Sequence, residues 1–139
     1  YGKCAELCGP SHALMDFKVK SLERPDFDAW IAAMQASEGQ IANIDSSDAG
    51  EALFANSCLT CHAISGAGVS GAAGPNLTTF GDRNRIAGFM DHTKEDLIKW
   101  IDDSDKEKPE NLMPSFKGQF SNEELNALAD YLMSLSVEK

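Results

Sequence analysis

Two cysteines three positions apart with a histidine directly behind them, Cys58-Leu59-Thr60-Cys61-His62, are the residues best suited to chemistry in this chain. C-x-x-C-H is the spacing of covalent c-type haem attachment. The two thiols can add to the haem vinyl groups as thioethers, and the adjoining imidazole then becomes an axial ligand of the iron. The same residues can also be read as a dithiol redox pair, half of a zinc site or a structural disulfide. A dithiol pair has no need of the histidine, and a zinc site calls for a second ligand pair at comparable spacing.

A haem iron held by His62 takes a second ligand on its far side. Met113, fifty-one residues later in Asn111-Leu112-Met113-Pro114, is the best candidate. A neutral, soft thioether favours reduced iron and raises the potential. Pro109 and Pro114 bracket Met113 and restrict its backbone. The rivals are Met90, ahead of a turn-like Asp91-His92-Thr93, and Met133, at a helical position where methionine commonly fills a core. Gly74-Pro75-Asn76-Leu77 either forms an ordinary turn or supplies a carbonyl that orients the His62 ring. In the second case Gly74 lets the loop pass close to the imidazole. His92, beside acids in a turn, reads as a surface residue.

Three helices are expected around these loops. Asp48 with Glu51 resembles a capping box opening a helix that carries Leu53 and Phe54 toward Cys58. Thr93 with Asp96 opens a second, with Leu97, Trp100 and Ile101 on one face. Ser121 with Glu124 opens a third, striped by Leu125, Leu128, Ala129, Leu132 and Leu135. Gly50 on the first helix either permits close crossing by the third or is a tolerated weak spot.

Haem motif, methionine loop and helix order together resemble the class I cytochrome c family over about residues 47–139. The resemblance implies an all-α fold in which first and last helices cross and the haem lies edge-out. It also implies that Pro75, Arg83 and Trp100 belong to the haem environment, with Arg83 preferred to Arg85 as partner of a propionate. A domain of this size buries a modest core, so the haem-free chain is expected to be poorly folded.

Residues 1–15 hold a second pattern, Cys4, Glu6, Cys8, His12 and Met15. Thiolate, imidazole and thioether are the soft donors that copper prefers; a Cys4–Cys8 disulfide is the competing reading. The spacing C-x-E-x-C-x-x-x-H-x-x-M resembles the ligand loop of the binuclear copper centre in subunit II of haem–copper oxidases. The resemblance implies that Cys4 and Cys8 bridge two coppers, His12 and Met15 each bind one, and Glu6 contributes its main-chain carbonyl. That centre takes a further histidine from an earlier strand outside these residues, so no binuclear copper is expected on this stretch by itself. Residues 13–22 are expected to be the last strand of that cupredoxin-like domain, with Ala13, Met15, Phe17 and Val19 alternating. Residues 25–36 are expected to form a short helix with Phe27, Trp30, Ile31 and Met34 on one face and Pro25 in its first turn. Residues 37–47 are polar and turn-rich, as in a linker.

The division is therefore 1–22 as the end of a copper domain, 23–46 as helix and linker, and 47–139 as cytochrome. This order resembles subunit II of the cytochrome-c-bearing (caa-type) terminal oxidases. Leu77 to Phe80, Gly81, Arg83, Trp100-Ile101 and Lys108-Pro109 add to the match; Glu110 departs from it, standing where the family usually has glycine. The resemblance implies that electrons enter the cytochrome from a respiratory complex or a basic cytochrome c. They leave through the copper domain of the same polypeptide, alongside other oxidase subunits.

Lysine plus arginine number 12 against 22 acids, a net charge of −10. From Asp45 onward sixteen acids meet eight bases, for −8, concentrated at Asp102, Asp103, Asp105, Glu107 and Glu110. Nucleic acid and anionic lipid are poor partners for such a surface. It either steers a basic donor or simply confers solubility. No run approaches the roughly 18 apolar residues of a membrane helix and no secretory signal is present, so direct membrane contact is not expected. Covalent haem is attached outside the cytoplasm, and the resemblance implies a membrane-anchored parent. The expected location is the extracytoplasmic face of a bacterial membrane, with this stretch itself soluble.

The leading functional reading is a one-electron carrier with no catalysis of its own. A haem with an open sixth position, binding gas or peroxide, and a copper-delivery module built on residues 4–15 are the alternatives. An optical spectrum separates the first two, and metal analysis the third.

Overall fold

The computed structural model describes residues 1–37, 48–64 and 73–137. Most of the expected linker, and the glycine-rich stretch after the haem motif, lie outside the described residues. Among the described residues five helices follow in order: α1 Arg24–Ser37, α2 Ala49–Ser57, α3 Lys94–Asp102, α4 Ser104–Glu107 and α5 Asn122–Ser134. Two short antiparallel ladders join them: β1 Gly2–Lys3 with β2 Asp16–Phe17, and β3 Arg85–Ile86 with β4 Met90–Asp91. The chain forms two compact units, residues 21–82 with 127–139, and residues 1–20 with 83–126.

In the first unit, α2 begins where the Asp48 carboxylate accepts the Glu51 N–H at 2.8 Å, satisfying one of the amides a helix start leaves open. The Glu51 carboxylate also accepts from the Tyr131 hydroxyl at 3.4 Å. The absent side chain of Gly50 is what allows α5 to cross there. A Cβ at Gly50 would lie 2.2 Å from the Ala127 carbonyl oxygen and 2.8 Å from Tyr131 Cβ. Phe54 and Tyr131 seal the crossing with ring centroids 5.6 Å apart. Phe54, Ile64, Leu77, Phe80, Leu128, Ala129, Leu132 and Leu135 are all buried, matching the expected α5 stripe. A second close approach involves Gly81, whose N–H donates to the Leu135 carbonyl at 2.7 Å. The Asp82 carboxylate then accepts from the Ser136 hydroxyl and the Val137 N–H. Helix α1 runs one residue beyond the expected span at each end.

In the second unit, the Thr93 hydroxyl accepts the Asp96 N–H at 3.2 Å and opens α3, which buries Leu97 and Ile101. Ser121 and Glu124 form the complete reciprocal box at the start of α5. The expected strand over 13–22 is corrected: a 3-10 turn occupies His12–Leu14, and only Asp16–Phe17 is strand. The ladder ends because β1 offers two residues for pairing. The alternation persists with its apolar side outward, Met15, Phe17 and Val19 all being exposed. The β3–β4 hairpin, not expected from sequence, turns through Ala87 and Gly88, both at positive φ. It carries Met90 into the core.

Candidate haem and soft-metal sites

The haem motif sits at the C-terminal end of α2. Cys58 caps that helix, its N–H bonded to the Phe54 carbonyl at 2.9 Å, and the His62 N–H returns to the Cys58 carbonyl at 2.8 Å. This turn sets both thiols and the imidazole in one short arc. Cys58 and Cys61 are half-buried free thiols. Burial, then the neighbouring charge of Cys61, pushes the Cys58 thiol up to about 11. It therefore stays protonated near neutrality.

His62 Nδ1 lies 2.9 Å from the Pro75 carbonyl. A carbonyl can only accept, so the proton belongs on Nδ1 and the Nε2 lone pair is left for a metal. Gly74 makes this approach possible: a Cβ there would lie 2.7 Å from His62 Cε1. The Gly74 N–H also donates to the Cys61 carbonyl at 2.8 Å, tying the two loops together. Two free thiols, an imidazole of fixed tautomer and a cradle no side chain could share fit a covalently attached haem. Arg83 is half-buried, and burial lowers its guanidinium below the usual range.

In the other unit Met113 is half-buried in a loop fastened at both main-chain groups. Its N–H donates to the Asn111 side-chain oxygen and its carbonyl accepts from the Ser104 hydroxyl, both at 2.8 Å. The Asn111 amide in turn donates to the Lys108 carbonyl. Ser104 and Asn111 were not singled out from sequence. Asn111, two residues before Met113, forms an Asx turn whose signal was available, whereas nothing in the sequence marks Ser104. Glu110 stands at φ +59°, the left-handed region, which explains why glycine suits this position. Trp100 is half-buried on α3, edge-on to Phe89 at 6.4 Å between centroids. The rival Met90 is committed to the core, and Met133 is half-buried on α5.

The soft residues near the N-terminus also converge. One donor atom each from Cys4, Cys8 and His12 lies within 4.8 Å of the others. Cys8 Sγ is 3.6 Å from Cys4 Sγ, 3.4 Å from His12 Nδ1 and 3.8 Å from Met15 Sδ. Cys4 Sγ donates to the Glu6 main-chain carbonyl at 3.1 Å, so that oxygen faces the cluster. Both cysteines are free thiols. The Cys8 thiol is pushed up by the Cys4 hydrogen bond, then by burial and by the charge of Cys4, against the opposing pull of Lys108. The donor set fits a thiophilic metal such as copper.

The family model for cytochrome c matches residues 47–136, most of the chain and the whole haem-motif region. The chain belongs to the cytochrome c family. It is thus a haem c electron-transfer domain, with residues 1–46 preceding the matched region. Similarity to curated proteins extends over that segment too. The chain is 49% identical over 141 residues to cytochrome c oxidase subunit 2 of Bacillus sp. (strain PS3), covering 99% of this chain and 40% of the relative. It is 46% identical over 136 residues to the subunit 2 of Alkalihalophilus pseudofirmus, covering 98% and 39%. It is 43% identical over 142 residues to that of Bacillus subtilis (strain 168), covering 99% and 40%. The chain spans about two-fifths of the length of these curated relatives. Among the described residues, no helix of this cytochrome is long and apolar enough to cross a membrane.

Proposed function

We propose that this cytochrome is the electron-input domain of subunit II of a caa-type haem–copper oxidase. In this reading it takes electrons from a respiratory complex or a basic cytochrome c and passes them to a binuclear copper centre on the same polypeptide. The observation that carries the reading is the bond from His62 Nδ1 to the Pro75 carbonyl, which readies Nε2 for iron. Bound haem c supplies a one-electron Fe(III)/Fe(II) couple. Cys58 and Cys61 would hold it by thioethers, His62 and Met113 would ligate its iron, and Pro75, Arg83 and Trp100 would shape its surroundings. Ser104 and Asn111 hold the Met113 main chain, which would limit movement of this loop on electron transfer.

Cys4, Cys8, His12, Met15 and the Glu6 carbonyl provide part of the copper ligation in the intact parent. Residues 1–22 end the copper domain, 23–46 join it to the cytochrome, and 47–139 are the cytochrome. The relatives' name, cytochrome c oxidase subunit 2, supports assembly with other oxidase subunits in a bacterial membrane. The extracytoplasmic face follows from where covalent haem is attached. The test is Met113→Ala in the assembled oxidase. Oxygen consumption driven by the donor should collapse while haem c stays covalently attached; undiminished consumption would contradict the proposed route.

A further inference from the structure

Ser11 directly precedes the soft donor His12, and its hydroxyl donates to the Pro109 carbonyl at 2.5 Å across 98 residues of sequence. Pro109 lies four residues before Met113, in the loop that Asn111 and Ser104 fasten. We propose that the Ser11–Pro109 hydrogen bond is the electron-exit junction, joining the Cys4–Met15 ligand loop to the Met113 loop. The proposal rests on the functional reading above and adds to it the contact by which the electron leaves.

Three features of the geometry support a defined junction. Residues flanking the ligand loop also touch the 85–109 segment: Arg85 Nη2 donates to the Tyr1 hydroxyl at 3.3 Å. The Asp16 carbonyl passes so close to Gly88 that a Cβ there would lie 2.6 Å from its oxygen. On the receiving side, the Lys108 ammonium donates to the Ala87 carbonyl at 3.2 Å and lies 5.8 Å from the Phe89 ring centroid, pinning the residue before Pro109. From Met113 the path runs along the main chain to the Pro109 carbonyl, crosses one hydrogen bond, and enters the main chain of Ser11 and His12. Electronic coupling decays less steeply along bonds and hydrogen bonds than across van der Waals gaps, so the Ser11–Pro109 bond is the favoured crossing between the two loops. One electron moves: iron passes from Fe(II) to Fe(III), the oxidised copper centre gains that electron, and no bond breaks and no proton transfers. Ser11 is a positioning residue in this step.

The test uses the assembled oxidase carrying haem c and copper. After rapid reduction of haem c, its reoxidation by copper should slow several-fold in Ser11→Ala and recover in Ser11→Thr, which keeps the hydroxyl. The oxidised haem spectrum and the haem c potential should not change. Hydrogen exchange by mass spectrometry on the same complexes should show faster exchange at the His12, Asn111 and Met113 amides in Ser11→Ala alone. An unaltered reoxidation rate, or unaltered exchange, with an intact haem spectrum would overturn the junction and leave the electron-input reading standing. Loss of the methionine-ligation signature in the unsubstituted oxidase would instead sink both.

Discussion

The hydroxyl of Ser104, fully shielded from solvent, donates to the main-chain carbonyl of Met113 at 2.8 Å. A residue at the start of α4 thus fixes the loop proposed to carry the sixth iron ligand. Ser104→Ala removes a buried donor and should cost about 1–2 kcal/mol. In the oxidised haem-loaded protein, the sulfur-to-iron charge-transfer band should disappear at lower temperature than in the unsubstituted protein. A band equally resistant to heat would show that Ser104 does not hold Met113.

Gly50→Ala sets two effects against each other. Helix propensity alone favours alanine by about 1 kcal/mol. The added methyl would lie 2.2 Å from the Ala127 carbonyl oxygen, and backbone cannot swing aside as a side-chain tip can. Overpacking should win, with a net loss of about 1–3 kcal/mol in denaturant unfolding. A more stable variant would mean the helix crossing is looser than described.

Tyr131 makes stability fall with alkali. Burial first, then the charge of Glu51, raises its phenol above the ordinary value of 10.0. The unfolded chain therefore gives up this proton near that value while the folded chain keeps it. The folded state then binds more protons, so stability declines as pH rises above about 10. Tyr131→Phe should show a flatter stability profile there when both proteins are unfolded by denaturant across that range. Parallel profiles would assign the alkaline loss to other groups.

Glu110→Gly should stabilise the loop. A non-glycine residue at φ +59° costs about 1–2 kcal/mol, and glycine returns about 0.5–1 kcal/mol of that as chain entropy. The expected net gain is about 0.5–1 kcal/mol, read as a higher unfolding midpoint with unchanged methionine ligation. A lower midpoint would indicate that the Glu110 side chain contributes contacts outweighing its strain.

Elements whose capping and periodicity agreed were legible in the sequence. Thr93 with Asp96 and Ser121 with Glu124 located two helix starts, and the leucine stripe of α5 is the buried face found. The His62–Pro75 contact was one of two readings that Gly74-Pro75-Asn76 offered, since an ordinary turn fits the same residues. The strand over 13–22 failed because alternation records which side of a chain is apolar, not whether a partner strand runs alongside. Ser104 and the Ser11–Pro109 bond were not legible, since both join residues through tertiary placement without local pattern. Asp48 with Glu51 located a third helix start, while the contact of Glu51 with Tyr131 had no local signal.

The proposed ligation of a covalently held haem iron by His62 and Met113 together is open to a direct check, the oxidised and reduced optical spectra of the haem-matured protein. A low-spin c-type spectrum with the thioether charge-transfer band at the red end of the oxidised form, lost in Met113→Ala, is the predicted result. A high-spin oxidised spectrum without that band, or one unchanged by Met113→Ala, would contradict it.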